Sequence, residues 1–217
     1  MATSADVRCR LCLVTPAGFN ADEFAPRLAD ALAGGDVASL IITPSAGDAA
    51  AFQRAVAQLV PIASARGVAS VVSGDGRIAA RTDADGVHIE TGAGDVAEAR
   101  GAFRNKIVGA GNIQSRHDAM EIAEADPDYL FFGRLDGDTG DDIFPRALDL
   151  ASWWSSVAII PAIVMGGRTV GSVDTAAANG IEFVALSRAV WDDPRGPAAA
   201  VADVSVRLAE RARELAT

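Results

Sequence analysis

Two short segments in the last third of the chain have the residue types and positions of a phosphate-binding site. Gly166 and Gly167 follow an apolar run and precede a helical pattern. Because glycine lacks a Cβ, backbone N–H groups at such a turn can approach an anion, and a helix start adds partial positive charge. Ser187 and Arg188 follow the next apolar run and add a hydroxyl, more N–H groups and a guanidinium. These residues predict a bound phosphate, although a double glycine is also typical of a tight turn.

A third segment, residues 133–142, combines one basic residue with several carboxylates. Arg134 follows its first glycine. The carboxylates are Asp136, Asp138, Asp141 and Asp142. Mg²⁺ and Ca²⁺ prefer such oxygen ligands, but the spacing is not that of an EF-hand, which needs a preceding helix and a closing glutamate. Two interpretations stay open: a metal site, or a mobile and solvated acidic loop.

Further carboxylates follow two other apolar runs, at Asp75 and Glu90. One carboxylate from each run would face the same end of a barrel, where the pair could hold Mg²⁺ bridged to a diphosphate. Asp95 instead has the position of a helix cap. His88 lies two residues before Glu90 and shares its face of a strand. We expect it to be a hydrogen-bonded core histidine rather than a general base.

The elements that position these residues alternate regularly along the chain. Short β-branched runs alternate with alanine-rich helical stretches, which predicts parallel strands joined by helices. Eight such units favour a single-domain α/β fold, the (β/α)8 TIM barrel, over an open doubly wound sheet. We predict strands at residues 11–14, 37–43, 68–73, 86–90, 106–110, 129–133, 162–165 and 183–186. We predict helices at residues 22–33, 48–65, 95–102, 115–125, 147–156, 170–179 and 197–215, with an uncertain helix in the short connection 76–84.

In such a barrel the candidate residues all fall where function is expected. The loops that follow the strands carry the chemistry, and those after strands seven and eight frequently bind phosphate. Several helices also have start signals, which are side chains that can accept hydrogen bonds from a first turn. These are Asp48, Asp95, Ser115 and Asp193.

Composition argues against several classes of partner. The 217 residues fit one domain, and a net charge of −10 without a basic stripe argues against nucleic acid. No apolar run reaches the roughly 18 residues that a membrane span needs. Residues 1–6 lack the basic and apolar regions of a secretory signal, so we expect a cytoplasmic protein.

Scarce residue types limit the chemistry further. Lys106 is the sole lysine, so arginines carry nearly all the positive charge. Cys9 and Cys12 are three apart on a predicted strand, which sends them to opposite faces and favours plain structural thiols. The tryptophans at positions 153, 154 and 191 either pack inside the helix layer or include an aromatic at a homodimer contact.

Several motifs together resemble one family. Residues 85–89, 107–111, 128–133, 160–167 and 185–187 read DGVHI, IVGAG, DYLFFG, IPAIVMGG and ALS. In this order and spacing, from about residue 11 to residue 191, the chain resembles the thiamine phosphate synthase and thiazole tautomerase family. The resemblance implies a (β/α)8 transferase of thiamine biosynthesis that joins a pyrimidine diphosphate to a thiazole phosphate while Mg²⁺ helps pyrophosphate to leave. It places the thiazole phosphate on Gly166, Gly167, Leu186 and Ser187.

The diphosphate half of the family's site departs from that pattern. A Gln-x-Arg-x-Lys type motif is expected after the second strand, where residues 41–45 carry no cation. The family's Asn-Asp pair ends one position before Asp75, and its second metal-binding aspartate falls on Ala93. The serine of a Gly-Val-Ser motif becomes Gly111. The Thr-x-Thr-Lys loop becomes the acidic stretch after Arg134. The tautomerase branch carries a histidine after the glycine of the sixth strand, where this chain has Arg134.

Three hypotheses therefore stay open. The first is a divergent synthase in which Asp75, Glu90 and Asp136 hold Mg²⁺ while Arg134 steers pyrophosphate, with Asp136 and Arg134 as the candidate catalytic pair. The second is another enzyme that acts on a phosphorylated small molecule. The third is a regulatory or ligand-binding barrel without catalysis, in which one phosphate pocket is kept opposite an eroded diphosphate pocket.

Overall fold

The computed structural model describes residues 9–215 and shows parallel strands closed into a barrel. Each strand pairs with the next one along the chain, and the last strand pairs with the first. This confirms the predicted (β/α)8 TIM barrel and excludes the open sheet. The strands of the described chain are β1 (Arg10–Val14), β2 (Ser39–Ile42), β3 (Ala69–Ser73), β4 (Gly86–Ile89), β5 (Ile107–Ala110), β6 (Tyr129–Phe132), β7 (Ala162–Met165) and β8 (Phe183–Leu186).

Helices follow every strand and form the outer layer. Within the described residues they are α1 (Ala21–Ala33), α2 (Ala49–Ser64), α3 (Gly76–Arg81), α4 (Ala93–Ala102), α5 (Arg116–Ala123), α6 (Pro145–Val157), α7 (Ser172–Ala178), α8 (Arg188–Trp191) and α9 (Pro197–Leu215). The uncertain third connection forms α3. The single turn α8 has no counterpart in the sequence prediction, because four residues are too few to show a helical period.

Alternation along the strands divides the core into two parts. In β1, Leu11 and Leu13 face outward and pack under the helices, whereas Cys12 and Val14 face inward. Burying a side chain of the size of leucine contributes about 1.5–3 kcal/mol, so both layers stabilise the barrel. Phe131 from β6 is among the inward side chains and is fully buried. The centre of the barrel is therefore a packed core, and ligands must bind at its end.

Two of the four predicted helix caps are confirmed. Asp48 accepts a hydrogen bond from the N–H of Ala51 at 2.8 Å, and Ser115 caps α5 in the same way. The prediction for Asp95 is wrong, since it lies in the first turn of α4, which begins after Gly92. Gly92 has φ +107°, a conformation that favours glycine, so the chain turns into this helix without a side-chain cap.

The fourth predicted cap, Asp193, does not cap α9. Its carboxylate accepts from the N–H of Arg195 at 2.8 Å and pairs with the guanidinium of the same residue. Both residues precede Pro197, where α9 begins. Asp193 therefore stabilises the connection before the helix rather than its first turn.

The scarce residues take the ordinary structural positions. Cys9 and Cys12 are free, buried thiols in the outer and inner parts of the core, as predicted. Trp154 and Trp191 are buried, so the packing alternative is correct for both. Trp153 is half-buried beneath the guanidinium of Arg116, 4.9 Å from the ring centroid. A homodimer stays a prediction.

None of the helices within residues 9–215 combines the length and apolar character needed to cross a membrane. Residues 1–6, on which the expectation of a cytoplasmic location depends, lie outside the described residues.

Candidate active site at the mouth of the barrel

Most of the predicted site residues lie where β6, β7 and β8 end. We call residues 133–144, which connect β6 to α6, the β6 loop. A cavity of about 380 Å³ opens beneath this loop. Its lining includes polar groups from Gln114, Arg134, Asp136, Thr139 and Arg146, and apolar groups from Ile113, Phe144, Leu150 and Met165. The cavity thus combines an apolar wall with a few polar groups, which is the usual character of a small-molecule site.

Arg134 and Asp136 form an ion pair on the rim of this cavity. The Arg134 Nε lies 3.0 Å from Asp136 Oδ1, and Nη2 lies 3.2 Å from Oδ2. Both side chains are more than half exposed, at 76% and 56%. Exposed ion pairs contribute only about 0–1 kcal/mol to stability, so either side chain can release its partner and bind a charged ligand instead at little cost.

Glu90 at the end of β4 faces the same pair. Burial raises the pKa of its carboxyl, and the nearby Asp136 raises that pKa further, while Arg134 lowers it. A cation close to Glu90 would favour the ionised form of this carboxyl. Glu90 therefore lies within electrostatic reach of the pair of Arg134 and Asp136.

Asp75 lies elsewhere. Its carboxylate caps α3, accepting from the N–H groups of Arg77 at 2.9 Å and Ile78 at 3.2 Å. The groove beside it runs between α3 and α4 and includes Asp95. Across residues 9–215 no three His, Cys, Asp or Glu side chains are grouped to hold a metal ion. The three carboxylates predicted to share Mg²⁺ are thus not assembled in this conformation, because Asp75 serves the helix.

The double glycine lies at the end of β7, and its N–H groups are already hydrogen-bonded. Gly166 donates to the carbonyl of Ala185 at 2.8 Å, and Gly167 donates to Ser172 Oγ at 3.0 Å. A Cβ on Gly167 would lie 2.3 Å from the carbonyl oxygen of Asp141. Glycine is therefore required here because the β6 loop crosses directly over the backbone.

At the end of β8, a carboxylate from the β6 loop occupies the position predicted for phosphate. Asp138 is only 2% exposed, and its Oδ2 accepts from the N–H of Arg188 at 2.7 Å. The Arg188 Nε lies 3.7 Å from Oδ1. Burial raises the pKa of Asp138, although both contacts with Arg188 lower it. Neither a metal site nor a solvated loop, the two sequence interpretations, describes this docked carboxylate.

The remaining predicted phosphate residues surround this contact. Leu186 and Ser187 are buried where β8 leads into α8, and the Ser187 carbonyl accepts from Val190 and Trp191 at 2.9 Å. A second cavity, of about 290 Å³, lies between the segments that follow β7 and β8. Its lining includes Arg168 and Arg188. Two arginines thus line this cavity together with Asp192 and Asp193, and one of them, Arg188, also contacts the docked carboxylate.

His88 lies in the barrel centre below Glu90. It is fully buried, with Nδ1 3.0 Å from the Tyr129 hydroxyl, which confirms the prediction of a hydrogen-bonded core histidine. Its Nε2 has no hydrogen-bond partner, and a Cβ on Gly111 would approach that atom to 2.7 Å. Burial lowers the His88 pKa to about 3. The ring is therefore neutral at physiological pH.

Lys106 lies at the opposite end of the barrel. Its Nζ donates to the carbonyl of Ala84 at 2.7 Å, just before β5 begins. The single lysine therefore cannot bind an anion at the mouth, where only arginines supply positive charge.

Comparisons with known proteins agree on one family. A sequence model of the thiamine monophosphate synthase family matches residues 11–190. A thiamine-phosphate synthase of Rhodospirillum centenum is 38% identical over 90% of this chain and 95% of its own. A thiamine-phosphate synthase of Hyphomonas neptunium is 33% identical over 89% of this chain and 91% of its own. The solved structure of a thiamine phosphate pyrophosphorylase from Pyrococcus furiosus is 19% identical, covers 94% of this chain and 97% of its own, and superposes with a TM-score of 0.78.

The structural match supports the fold alone, because its identity is low, whereas the sequence matches span most of both chains. The barrel, the motifs at the strand ends and these matches lead to the same conclusion. The chain belongs to the thiamine monophosphate synthase family.

Proposed function

We propose that this protein is a thiamine phosphate synthase, which joins a pyrimidine diphosphate to a thiazole phosphate at the barrel mouth. The observation that carries the proposal is the cavity in which Arg134 and Asp136 border an apolar wall. Its volume, about 380 Å³, suits a small ring compound. The relatives that carry this name cover nearly the whole chain, which supports the same activity here.

The reaction requires a cation near the leaving group. The bond between the pyrimidine-bearing carbon and the diphosphate oxygen breaks, and the thiazole nitrogen forms a bond to that carbon. Pyrophosphate leaves with the electrons of the broken bond, so negative charge grows on it in the transition state. Arg134 is placed to bind this charge, since its present partner Asp136 is exposed and can be released.

Glu90 and Asp136 fit a Mg²⁺ ion shared with the diphosphate. Mg²⁺ in phosphate-transfer sites is commonly held by one or two carboxylates, substrate phosphate oxygens and water, so two protein ligands suffice. Burial raises the Glu90 pKa and the nearby Asp136 raises it further, which is the observation that favours a cation close to Glu90. When bound, Mg²⁺ would neutralise part of the diphosphate charge. Asp75 is not needed for this arrangement.

A second candidate function is phosphate-ligand binding without catalysis. It is favoured by the lack of a lysine at the mouth, because a site with few cations neutralises a single phosphate more readily than a diphosphate. The two functions differ in one result, which is whether product forms.

The test is product formation from the purified protein with both precursors and Mg²⁺, beside an active synthase as control. We expect thiamine phosphate, and we expect Arg134→Ala to lower the rate by about 100-fold, as for loss of a group that binds transition-state charge. Arg104→Ala, near the opposite end of the barrel, should leave the rate unchanged. Absence of product beside the active control would remove the synthase proposal, and retained binding of thiazole phosphate would then favour the second function.

A further inference from the structure

The carboxylate of Asp138 makes the contacts that a ligand phosphate would make. It is nearly inaccessible to solvent, yet it belongs to a loop whose other aspartates are exposed. Its oxygen lies 2.7 Å from the N–H of Arg188, a normal distance for a charge-assisted hydrogen bond. The Arg188 guanidinium approaches the second oxygen. An anion from the chain itself therefore fills the end of β8.

Three polar contacts hold the rest of the β6 loop against β7 and its following helix. The N–H of Arg168 donates to the carbonyl of Gly140 at 2.8 Å. Thr169 Oγ1 donates to the carbonyl of Asp141 at 2.9 Å, and Thr175 Oγ1 donates to Asp142 Oδ2 at 3.1 Å. The central residues 139–142 are exposed. Contacts of this kind can be exchanged for water, so residues 136–142 can open without exposing a large apolar surface.

The loop also has two defined ends. Gly133 directly follows β6 and has φ +100°, a backbone region that glycine adopts readily. Ile143 is 5% exposed and anchors the other end in the core. Movement of residues 136–142 therefore need not disturb β6 or α6.

A phosphate cannot join Asp138 in its present position. The Arg188 N–H has its acceptor, the Gly167 and Gly166 N–H groups have theirs, and a second anion beside a buried carboxylate would be strongly repelled. If the β6 loop withdrew, the N–H groups of Arg168 and Arg188 would both lose their present acceptors, and these two residues line the same small cavity. The ligand and the carboxylate thus compete for one set of donors.

We propose that Asp138 is an internal competitor for the phosphate position, so that the β6 loop closes the site until a phosphorylated ligand displaces it. This inference rests on the proposed function, because it concerns regulation of the same phosphate site. Removing the charge of Asp138 should strengthen phosphate binding, which is the opposite of the usual effect of mutating a buried, hydrogen-bonded residue.

The test is calorimetric titration of thiazole phosphate, and separately of inorganic phosphate, into the parent protein and two variants. Asp138→Asn keeps the shape and can still accept from Arg188, but it lacks the charge. Asp141→Asn makes the same charge change on an exposed side chain of the same loop. We expect Asp138→Asn to bind thiazole phosphate at least tenfold more tightly than the parent, and Asp141→Asn to stay within twofold of it.

Hydrogen exchange on the parent protein gives an independent readout that does not depend on a variant folding. We expect amides of residues 136–142 to exchange faster when thiazole phosphate is bound, because the loop has been displaced. Equal affinities for all three proteins, or binding to the parent with unchanged exchange in this loop, would overturn the inference and leave the proposed function standing. Failure of the parent and both variants to bind would overturn the inference and also remove the phosphate site on which the synthase proposal depends.

Discussion

His88 is a titratable side chain that the barrel keeps neutral by burying it. One ring nitrogen contacts the Tyr129 hydroxyl, and the other has no partner. A buried nitrogen without a partner costs about 1–3 kcal/mol, and protonating it would add an unpaired charge. The ring stacks on Tyr129, with centroids 5.7 Å apart, and meets Phe131 edge-on. These contacts suit a neutral aromatic residue and leave no room for a proton-transfer role.

The lowered His88 pKa makes stability depend on pH. As pH falls below 6.5 the unfolded chain takes up a proton at this histidine, whereas the folded protein does not until about pH 3. Stability is therefore fully present above pH 6.5 and is lost as pH falls toward 3. Between about pH 7.5 and pH 5 this loss amounts to about 2 kcal/mol.

Urea unfolding of the parent and of His88→Gln checks this expectation. The variant lacks the titrating group but can still form a hydrogen bond with Tyr129. Between about pH 7.5 and pH 5, the free energy of unfolding of the parent should therefore fall by about 2 kcal/mol more than that of the variant. Parallel pH dependences for the two proteins would show that His88 is not buried as a neutral ring.

Asp75 has a structural role, in contrast to the carboxylates that we propose as metal ligands. It caps α3 through two N–H groups, so Asp75→Ala should lower the free energy of unfolding by about 1 kcal/mol. The Mg²⁺ dependence of product formation should stay unchanged, because Glu90 and Asp136 are the proposed ligands.

Glu90→Gln should shift the Mg²⁺ dependence of product formation to higher Mg²⁺ concentrations. Glu98→Gln, on the outer helix α4, is the matched control. A similar shift for Asp75→Ala would restore it to the metal site.

At the scale of elements, the β6 loop connects the two halves of the candidate site. Its first residues border the cavity that we assign to the substrate rings, and Asp138 reaches the end of β8. Gly167 allows this crossing because its surface lies against the backbone of residues 141–142. The loop after β6 therefore contacts the loops after both β7 and β8.

Gly167→Ala should displace the β6 loop. The added Cβ would lie 2.3 Å from a backbone oxygen, so the loop must move, and we expect a cost of about 1–3 kcal/mol. Faster proteolysis within residues 134–142 would report the displacement. Gly171→Ala is the matched control, since its Cβ would meet Thr169 Oγ1 at an ordinary 3.7 Å. Equal proteolysis of both variants would contradict the close crossing.

At the scale of the whole molecule, the regular features were predictable and the long-range contacts were not. Strand alternation and eight repeated units indicate the barrel, and the residues after each strand indicate the mouth. The contact between Asp138 and Arg188 spans fifty positions and depends on how one loop crosses another, which no local pattern specifies. The sequence shows only a departure from the family motif. An acidic loop stands where the family has Thr-x-Thr-Lys, and it contains no lysine to neutralise its carboxylates.

The same limit explains the outcome for the predicted metal ligands. Proximity of Glu90 to Asp136 follows from the closed barrel, since both residues follow strands that end at the same mouth. Asp75 also follows a strand, but a helix begins at the next residue and its first-turn N–H groups take the carboxylate. Because the sequence pattern of residues 76–84 does not specify α3, it cannot show that the N–H groups of this helix compete with a metal ion for Asp75.

The most direct test of the account is a crystal structure with thiazole phosphate, pyrophosphate and Mg²⁺ bound. The account predicts the thiazole phosphate against the N–H of Arg188, with Asp138 moved away, and pyrophosphate beside Arg134 with Mg²⁺ on Glu90 and Asp136. A structure in which Asp138 still accepts from Arg188 while the ligands bind elsewhere would contradict it.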